Sequence, residues 1–326
     1  MMNNDSLKTI SGVLSGAERI LLFPHINMDG DALGSAAALC HVLRRMGREA
    51  FVLLEDKIPD NLAFLDRGYC TFDADRIGEP DLCVCVDCGD AGRFPKRREA
   101  FMRGKTTMCI DHHATSDPFC RYNLIDPGAC ATGELIYKVI CAMGQEIDRE
   151  TGEALFAAIT TDSGNFQYSN TTKETHEIVA SLYDSGLDAN GVSVKIYETV
   201  RLEKLKIRAR VLENITLYGG GRLCIGFVTQ EMLKETGALM EETEGVVAEL
   251  RSIDGVQIAV FIKEEEERLC KVSLRAKSVG DVAEITAAFD GGGHKKAAGC
   301  TLHCTLREAE EKMRAAALEN LERYDK

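Results

Sequence analysis

Four stretches of the chain end on imidazole or carboxylate groups: His25-x-x-x-Asp29-x-Asp31, Asp87 with Asp90, Asp111-His112-His113, and Asp162. Any one of them reads as a capped turn, since Asp is a common turn and helix N-cap residue. Together they read as parts of a single site. If the stretches converge, carboxylates at short range repel one another and some must stay protonated. A divalent cation removes that conflict, and the mixed imidazole and carboxylate set suits manganese better than calcium, with magnesium and zinc as alternatives. So many ligands predict two ions. A pair of divalent ions about 3.5–4 Å apart is the clamp used to hydrolyse phosphate esters, because it activates a water and stabilises charge on the phosphoryl oxygens.

The elements around these groups are of a kind that could bring them together. The apolar run 20–23 reads as a strand buried on both faces, and the small residues after Asp31 read as the start of a helix. His25, Asp29 and Asp31 then occupy the loop between, and in an open parallel sheet ligands bind outside the carboxyl ends of the strands. The pattern repeats where the run 82–86 ends at Asp87 and the run 106–110 ends at Asp111-His112-His113. Helical spacing over 35–46 ends at Gly47, a strand is expected over 50–54, and helices are expected over 132–143, 149–161 and 173–185. Alternating strands and helices predict an α/β fold with a doubly wound parallel sheet.

Residues 190–214 are helical in pattern and charged, with Arg201, Lys204, Lys206, Arg208 and Arg210 among them. They are read as a helical connector with a solvated face. Beyond 215, strands over 223–228, 256–262 and 269–274 alternate with helices near Val246 and Val282. A hairpin tip is expected at 264–267 and a last helix over 306–324. The expected division is therefore a catalytic domain over 1–189, a connector over 190–214, and a smaller mixed-sheet α/β domain over 215–326.

A length of 326 residues with 45% hydrophobic content fits two globular domains with sizeable cores. No apolar run approaches the roughly 20 residues of a membrane helix, and the start Met-Met-Asn-Asn-Asp-Ser lacks the layout of a signal peptide, so a cytoplasmic protein without membrane partners is expected. The net charge of −13 argues against tight, sequence-blind binding to long duplexes, while leaving room for a small phosphorylated substrate in a local basic pocket. The 13 cysteines are expected as reduced thiols, many in buried strands, as in Cys83-Val-Cys85-Val-Asp-Cys88. Cys300-Thr-Leu-His303-Cys304 has no second cluster to pair with, which disfavours structural zinc.

The ordered set His25-x-x-x-Asp29-x-Asp31, Asp87, Asp111-His112-His113 and Asp162 resembles the four motifs of the DHH phosphoesterase superfamily. Val272-Ser273-Leu274-Arg275, Asp281-Val-Ala and Gly291-Gly-Gly-His294-Lys-Lys-Ala-Ala-Gly299 resemble its DHHA1 substrate-binding domain, and the compact two-domain form looks most like the nanoRNase/pAp phosphatase group. The resemblance implies a first ion on His25, Asp29 and Asp87, and a second on Asp31, Asp87, His112 and Asp162, with Asp87 bridging. It implies that His113 stands beside the scissile phosphate as an electrophile or proton donor, and that Asp111 orients an imidazole. Ser273, Arg275, Gly292, Gly293 and His294 would anchor a terminal phosphate, since consecutive glycines let N–H groups approach an anion and Arg and His add charge-assisted bonds. The expected arrangement is a cleft with metals on one domain and the anchor on the other. Two positions depart from the family pattern: Met28 stands where proline is common, and Asp290 where a fourth glycine is usual.

The activity this implies is manganese-dependent hydrolysis of very short RNA or DNA and removal of the 3′ phosphate of adenosine 3′,5′-bisphosphate, with magnesium as the other candidate metal. Linear or cyclic dinucleotide messengers such as pApA are the alternative substrates, disfavoured because no sensor segment accompanies the motifs. Inorganic pyrophosphate suits the anchor less, because Arg275 and the glycines fit a larger ligand. A nucleotide-sensing module without turnover would be expected to lack a ligand, and every one is present. A processive single-strand exonuclease would want more length and a basic channel. A homodimer is the expected assembly.

Overall fold

Burial on both faces decides the centre of the first sheet. In the computed structural model, which describes residues 4–324, strand β1 (Arg19–Pro24) is buried from Ile20 onward and β4 (Leu82–Val86) along its whole length. Around them lie β2 (Glu49–Leu53), β3 (Cys70–Thr71), β5 (Thr106–Asp111) and β6 (Tyr122–Ile125), giving among the described residues a sheet of six strands in the order β3-β2-β1-β4-β5-β6. Every pairing in it is parallel. The chain moves outward from β1 to β3, then crosses to β4 and moves outward on the other side. The order thus reverses between β1 and β4, and at such a switch point the loops that leave the two strands open a crevice.

The helices of this unit are α1 (Leu7–Gly16), α2 (Gly30–Arg45), α3 (Arg98–Met102), α4 (Thr132–Ala142), α5 (Arg149–Asp162), α6 (Lys173–Leu182) and α7 (Ala189–Ser193). Helix α2 is buried on nearly all sides and packs along α5. Their approach requires Gly34, because a Cβ there would lie 2.6 Å from the Ala154 carbonyl oxygen. That contact brings the N-terminal end of α2, with Asp31, toward the C-terminal end of α5, with Asp162.

The chain divides into two compact units at Thr199/Val200, inside the stretch read as one connector. Val192 and Ile196, on α7 and the π-turn after it, are buried in the first unit's core. Ile207 and Val211, on α8 (Leu202–Glu213), are buried in the second unit's core. Each pair is one helical turn apart and serves a different core, and the backbone between them is extended at Thr199 and Arg201.

The second unit also holds β7 (Thr216–Tyr218), β8 (Leu223–Val228), α9 (Gln230–Thr236), α10 (Val246–Ser252), β9 (Ile258–Glu266), β10 (Leu269–Ala276), α11 (Val282–Ala287), β11 (Gly292–His294), β12 (Ala297–Leu302) and α12 (Leu306–Tyr324). Its sheet runs β11-β12-β10-β9-β8-β7 and is mixed, parallel between β8 and β9 and antiparallel elsewhere. Alternation along the strands sorts the core. Ile258, Val260 and Ile262 face one cluster with residues of α11 and α12, while Ala259 and Phe261 face the other with residues of α8, α9 and α10. No described helix is long and apolar enough to cross a membrane.

Candidate metal centre and phosphate anchor

The first unit gathers its imidazoles and carboxylates at the switch point. His25, directly after β1, is buried, and its Nδ1 lies 2.6 Å from the Ile26 carbonyl oxygen. A carbonyl can only accept, so Nδ1 carries a proton, and in the neutral ring Nε2 presents a lone pair. That Nε2 is 3.4 Å from Asp87 Oδ2 and 3.7 Å from Asp29 Oδ1. His112 uses the same device, with Nδ1 3.2 Å from the Ala129 carbonyl oxygen. Its Nε2 is 3.3 Å from Asp162 Oδ2, 3.7 Å from Asp87 Oδ1 and 3.8 Å from Asp31 Oδ2. Asp87 thereby turns one oxygen toward each imidazole.

Three of the carboxylates, Asp29, Asp31 and Asp87, are held by donors. Asp29 caps α2, accepting from the backbone N–H groups of Asp31 and Ala32 at 3.1 and 3.0 Å. Asp31 is fully buried and accepts from Ser35 Oγ at 3.0 Å, Thr132 N at 2.7 Å and Gly133 N at 2.9 Å. The last two are free N–H groups in the first turn of α4, whose positive dipole end therefore faces the carboxylate. Thr132 also donates from Oγ1 to Asp87 Oδ1 at 2.9 Å. Asp87 itself has φ +57, a left-handed backbone that side chains rarely adopt, and such strain gathers at functional sites.

Among the described residues, three groups have their ligand atoms within 4.8 Å of one another and could hold a metal ion: His25, Asp29 and Asp87; Asp31, His112 and Asp162; and Asp87, His112 and His113. The protonation balance of these side chains fits a cation. Burial and the charges of Asp87, Asp162 and Asp29 hold the Asp31 carboxyl well above the usual carboxylate range. Burial and the charges of Asp87 and Asp29 push Asp162 up to about 6 against the pull of His112. Burial works to lower His25, yet the carboxylates of Asp29 and Asp87 raise it to about 9. The site takes up protons where positive charge is lacking, and a divalent ion would supply that charge.

Asp111 has a different task. Buried at the end of β5, it accepts from Ser116 Oγ, from the backbone of His112 at 2.9 Å, and from His113 Nδ1 at 2.8 Å. The Asp111 hydrogen bond raises the His113 pKa, and His113 is part-exposed with Nε2 free of Asp111. Gly89 permits this packing, since a Cβ there would lie 1.8 Å from Ser116 Oγ. Asp90, grouped with Asp87 on sequence, is instead exposed and caps the next short turn through a 2.7 Å bond from Gly92 N. With the strained Asp87 and the buried Cys88 before it, its carboxylate joins none of the three groups.

Several positioning residues carry no sequence signal of their own. Ser35, Thr132 and Ser116 are ordinary hydroxyl residues whose partners become visible only in the fold. Asn170 Nδ2 ties the carbonyls of Cys130 and Asp162 at 3.0 and 3.1 Å, anchoring the turn after α5. Ser35 alone had a local hint, one helical turn after Asp31.

The second unit gathers the other set on one sheet face. Across β10 and β12, Ser273 stands opposite Gly299 and Arg275 opposite Ala297. Across β12 and β11, Gly299 stands opposite Gly292 and Ala297 opposite His294. Ser273, Arg275, Gly292 and His294 thus share a face, with small residues forming the floor between them. Gly293 has the opposite parity and φ +143, and a Cβ there would lie 2.5 Å from the Ala297 carbonyl oxygen. A cavity of about 570 Å³ is lined by Lys271, Ser273, Asp290, Gly291, Gly299 and Thr301. Asp290 has φ +55, which accounts for glycine being usual there and which Asp tolerates better than most residues.

Comparison with known proteins agrees with both halves. Residues 19–159 match the DHH family, N-terminal domain, and residues 220–323 match the DHHA1 domain. The bifunctional oligoribonuclease and PAP phosphatase NrnA of Thermus thermophilus is 29% identical over 328 aligned positions, covering 98% of this chain and 95% of that protein. Its namesake in Bacillus subtilis is 26% identical over 93% of this chain and 94% of that protein. The crystal structure of an exopolyphosphatase-related protein from Bacteroides fragilis superposes with a TM-score of 0.90 at 26% identity, covering 98% of this chain and 97% of that one. Both domain models match in this order, so the chain carries a DHH N-terminal domain followed by a DHHA1 domain.

Proposed function

We propose that the chain is a metal-dependent phosphohydrolase that degrades very short oligonucleotides to mononucleotides and removes the 3′ phosphate of adenosine 3′,5′-bisphosphate. The observation that carries this reading is Asp87, which turns Oδ2 toward His25 and Oδ1 toward His112, so that one carboxylate serves two ligand groups. The names of the Thermus and Bacillus relatives, which align with nearly the whole chain, support the substrate class.

His25, Asp29 and Asp87 would hold one divalent ion, and Asp31, His112, Asp162 and Asp87 a second, with manganese the favoured metal. When bound, such ions polarise a phosphoryl oxygen and lower the pKa of water. The chain's own groups do the rest. Asp111 fixes the tautomer and orientation of His113, whose raised pKa keeps a proton available for a phosphoryl or leaving oxygen. Thr132 and the first turn of α4 hold Asp87 and Asp31 without occupying the oxygens' remaining lone pairs. In the second unit Ser273, Arg275, His294 and the backbone of Gly292 and Gly293 anchor a terminal phosphate.

The test is incubation of the full chain and manganese with labelled di- to pentanucleotides, adenosine 3′,5′-bisphosphate and pApA side by side. Mononucleotides from the shortest RNAs and AMP from the bisphosphate are expected. No product from any of them over hours would refute the reading.

A further inference from the structure

One face of the first sheet is lined with thiols. Cys83 and Cys85 of β4, Cys88 just after it and Cys109 of β5 are buried with Phe94 and Phe101. Cys120, in the connection between β5 and β6, packs against them and is only partly buried. All 13 thiols of the chain are free. The sulfurs of Cys85 and Cys120 nevertheless lie 3.8 Å apart. Asn123 holds Cys120 in that place, donating from Nδ2 to its carbonyl at 2.8 Å and accepting from its N–H at 3.3 Å.

Both thiols belong to segments that carry the metal centre. Cys85 comes two residues before Asp87, on a strand paired with β1 on one side and β5 on the other. Cys120 closes the segment that starts with Asp111-His112-His113, within which Ser116 donates to Asp111 and Asp117 N donates to the Gly89 carbonyl at 3.2 Å. A disulfide holds its sulfurs about 2.05 Å apart, so this pair must close by about 1.8 Å to form one. Strand β4 is held on both sides. The segment ending at Cys120 therefore gives way, and the support of His113 moves with it.

We propose that Cys120 is a site of oxidation by peroxide, and that Cys85 then closes a disulfide with it that lowers turnover by displacing the segment of His113. Cys120 is the partly exposed member of the pair, so it meets the oxidant. Its sulfur takes one oxygen as the peroxide O–O bond breaks, giving a sulfenic acid and one water. The Cys85 sulfur attacks that sulfenic sulfur, the S–O bond breaks, the S–S bond forms and a second water leaves. Two thiols thus lose two protons and two electrons, and one peroxide is reduced to two waters. A resolving thiol beside a solvent-reachable one is the arrangement that redox sensors use. The effect on turnover rests on reading the first unit as a metal-dependent phosphohydrolase, and the crosslink does not.

Peptide mapping of the full chain after hydrogen peroxide, run without reductant, reads the crosslink, and dinucleotide turnover after removal of the peroxide reads its effect. Wild type is expected to yield a linked pair of peptides carrying Cys85 and Cys120. Its kcat should fall by about 10- to 100-fold, the scale of a misplacement near 1 Å, and dithiothreitol should reverse both changes. Cys120→Ser should form no crosslink and keep its turnover through the same treatment. In Cys85→Ala, Cys120 should stop at the sulfenic acid, which dimedone labels. Where the buried Cys85→Ala fails to fold, the Cys120 variant decides. A wild type without a crosslink between Cys85 and Cys120 overturns the inference, as does a crosslinked chain with full turnover or a Cys120→Ser variant inactivated like wild type. A chain that crosslinks but hydrolyses nothing before oxidation counts against the proposed reaction alone.

Discussion

The two candidate sites solve opposite electrostatic problems with opposite materials. The first crowds Asp29, Asp31, Asp87 and Asp162 around a space for cations, and the structure buries His25, Asp31 and Asp87 and gives each a designated hydrogen-bond partner. In the proposed reading the second presents cations and backbone to an anion. It leaves Gly292, Gly293 and His294 exposed and sets them by strand register, with few side-chain bonds. Like charges held close without their counter-ion need a scaffold of donors, here the first turn of α4 with Ser35 and Thr132. An anion anchor needs only that its floor be small and its N–H groups reachable. Changes at the first site should therefore act on kcat and metal affinity, and changes at the second on KM.

The largest expected effect tests the shared ligand. Asp87→Asn keeps the shape and removes the charge between the two groups, so kcat on a dinucleotide should fall by about 10³-fold, the scale seen when a preorganised stabilising group is lost. Steady-state assays of the purified variant check it, and near-wild-type turnover would break the comparison at its root. Thr132→Val should cost about 10- to 100-fold in metal affinity or activity, because it deletes the Oγ1 donor to Asp87 while the backbone bond to Asp31 remains. A manganese titration of activity reads that shift. At the second site, Arg275→Ala should raise KM for a phosphate-terminated dinucleotide by about tenfold or more with kcat little changed. A loss confined to kcat would remove the distinction between the sites.

The smallest effect lies away from both. Asp148 caps α5, accepting from Thr151 N at 3.0 Å, and pairs with His41 at 2.8 Å and Arg45 at 3.1 Å. Burial works to raise its pKa, but the bonds from His41 and Thr151 outweigh that and hold it down to about 2. A depressed carboxylate contributes stability that is complete above its unfolded value near 4 and is lost as pH falls toward 2. Asp148→Ala should cost about 1 kcal/mol near neutrality, from the lost cap, and the difference from wild type should shrink between about pH 4 and 2. Urea melts across that range measure it. Dinucleotide turnover at neutral pH should hardly move, which sharpens the contrast with Asp87.

The legible parts of this molecule were those written in local order. The run 20–23 ending on His25 marks a buried strand and a loop at its carboxyl end, and its repetition before Asp87 and Asp111 marks a parallel sheet. What stayed hidden was cooperation across the chain. Thr132 bonds Asp31 from 101 residues away, and no periodicity near a threonine shows that. Strand β11 is Gly-Gly-His, with no alternation of apolar and polar residues to reveal it. The stretch 190–214 keeps a helical pattern on both sides of its break, so two short segments serving two cores resemble one long helix. Asp90 misled because a capping carboxylate and a ligating one are the same residue type until the backbone turn at Asp87 separates them.

Among the described residues, Asp87 is the one carboxylate shared by two ligand groups that lie on different strand ends. Calorimetric titration of manganese into the metal-stripped full chain tests that directly, with Asp87→Asn in parallel. Wild type should take up two ions per chain and the variant fewer, with turnover of a dinucleotide following the second equivalent. A wild type that binds no ion, or a variant that binds both as tightly as wild type, would contradict it.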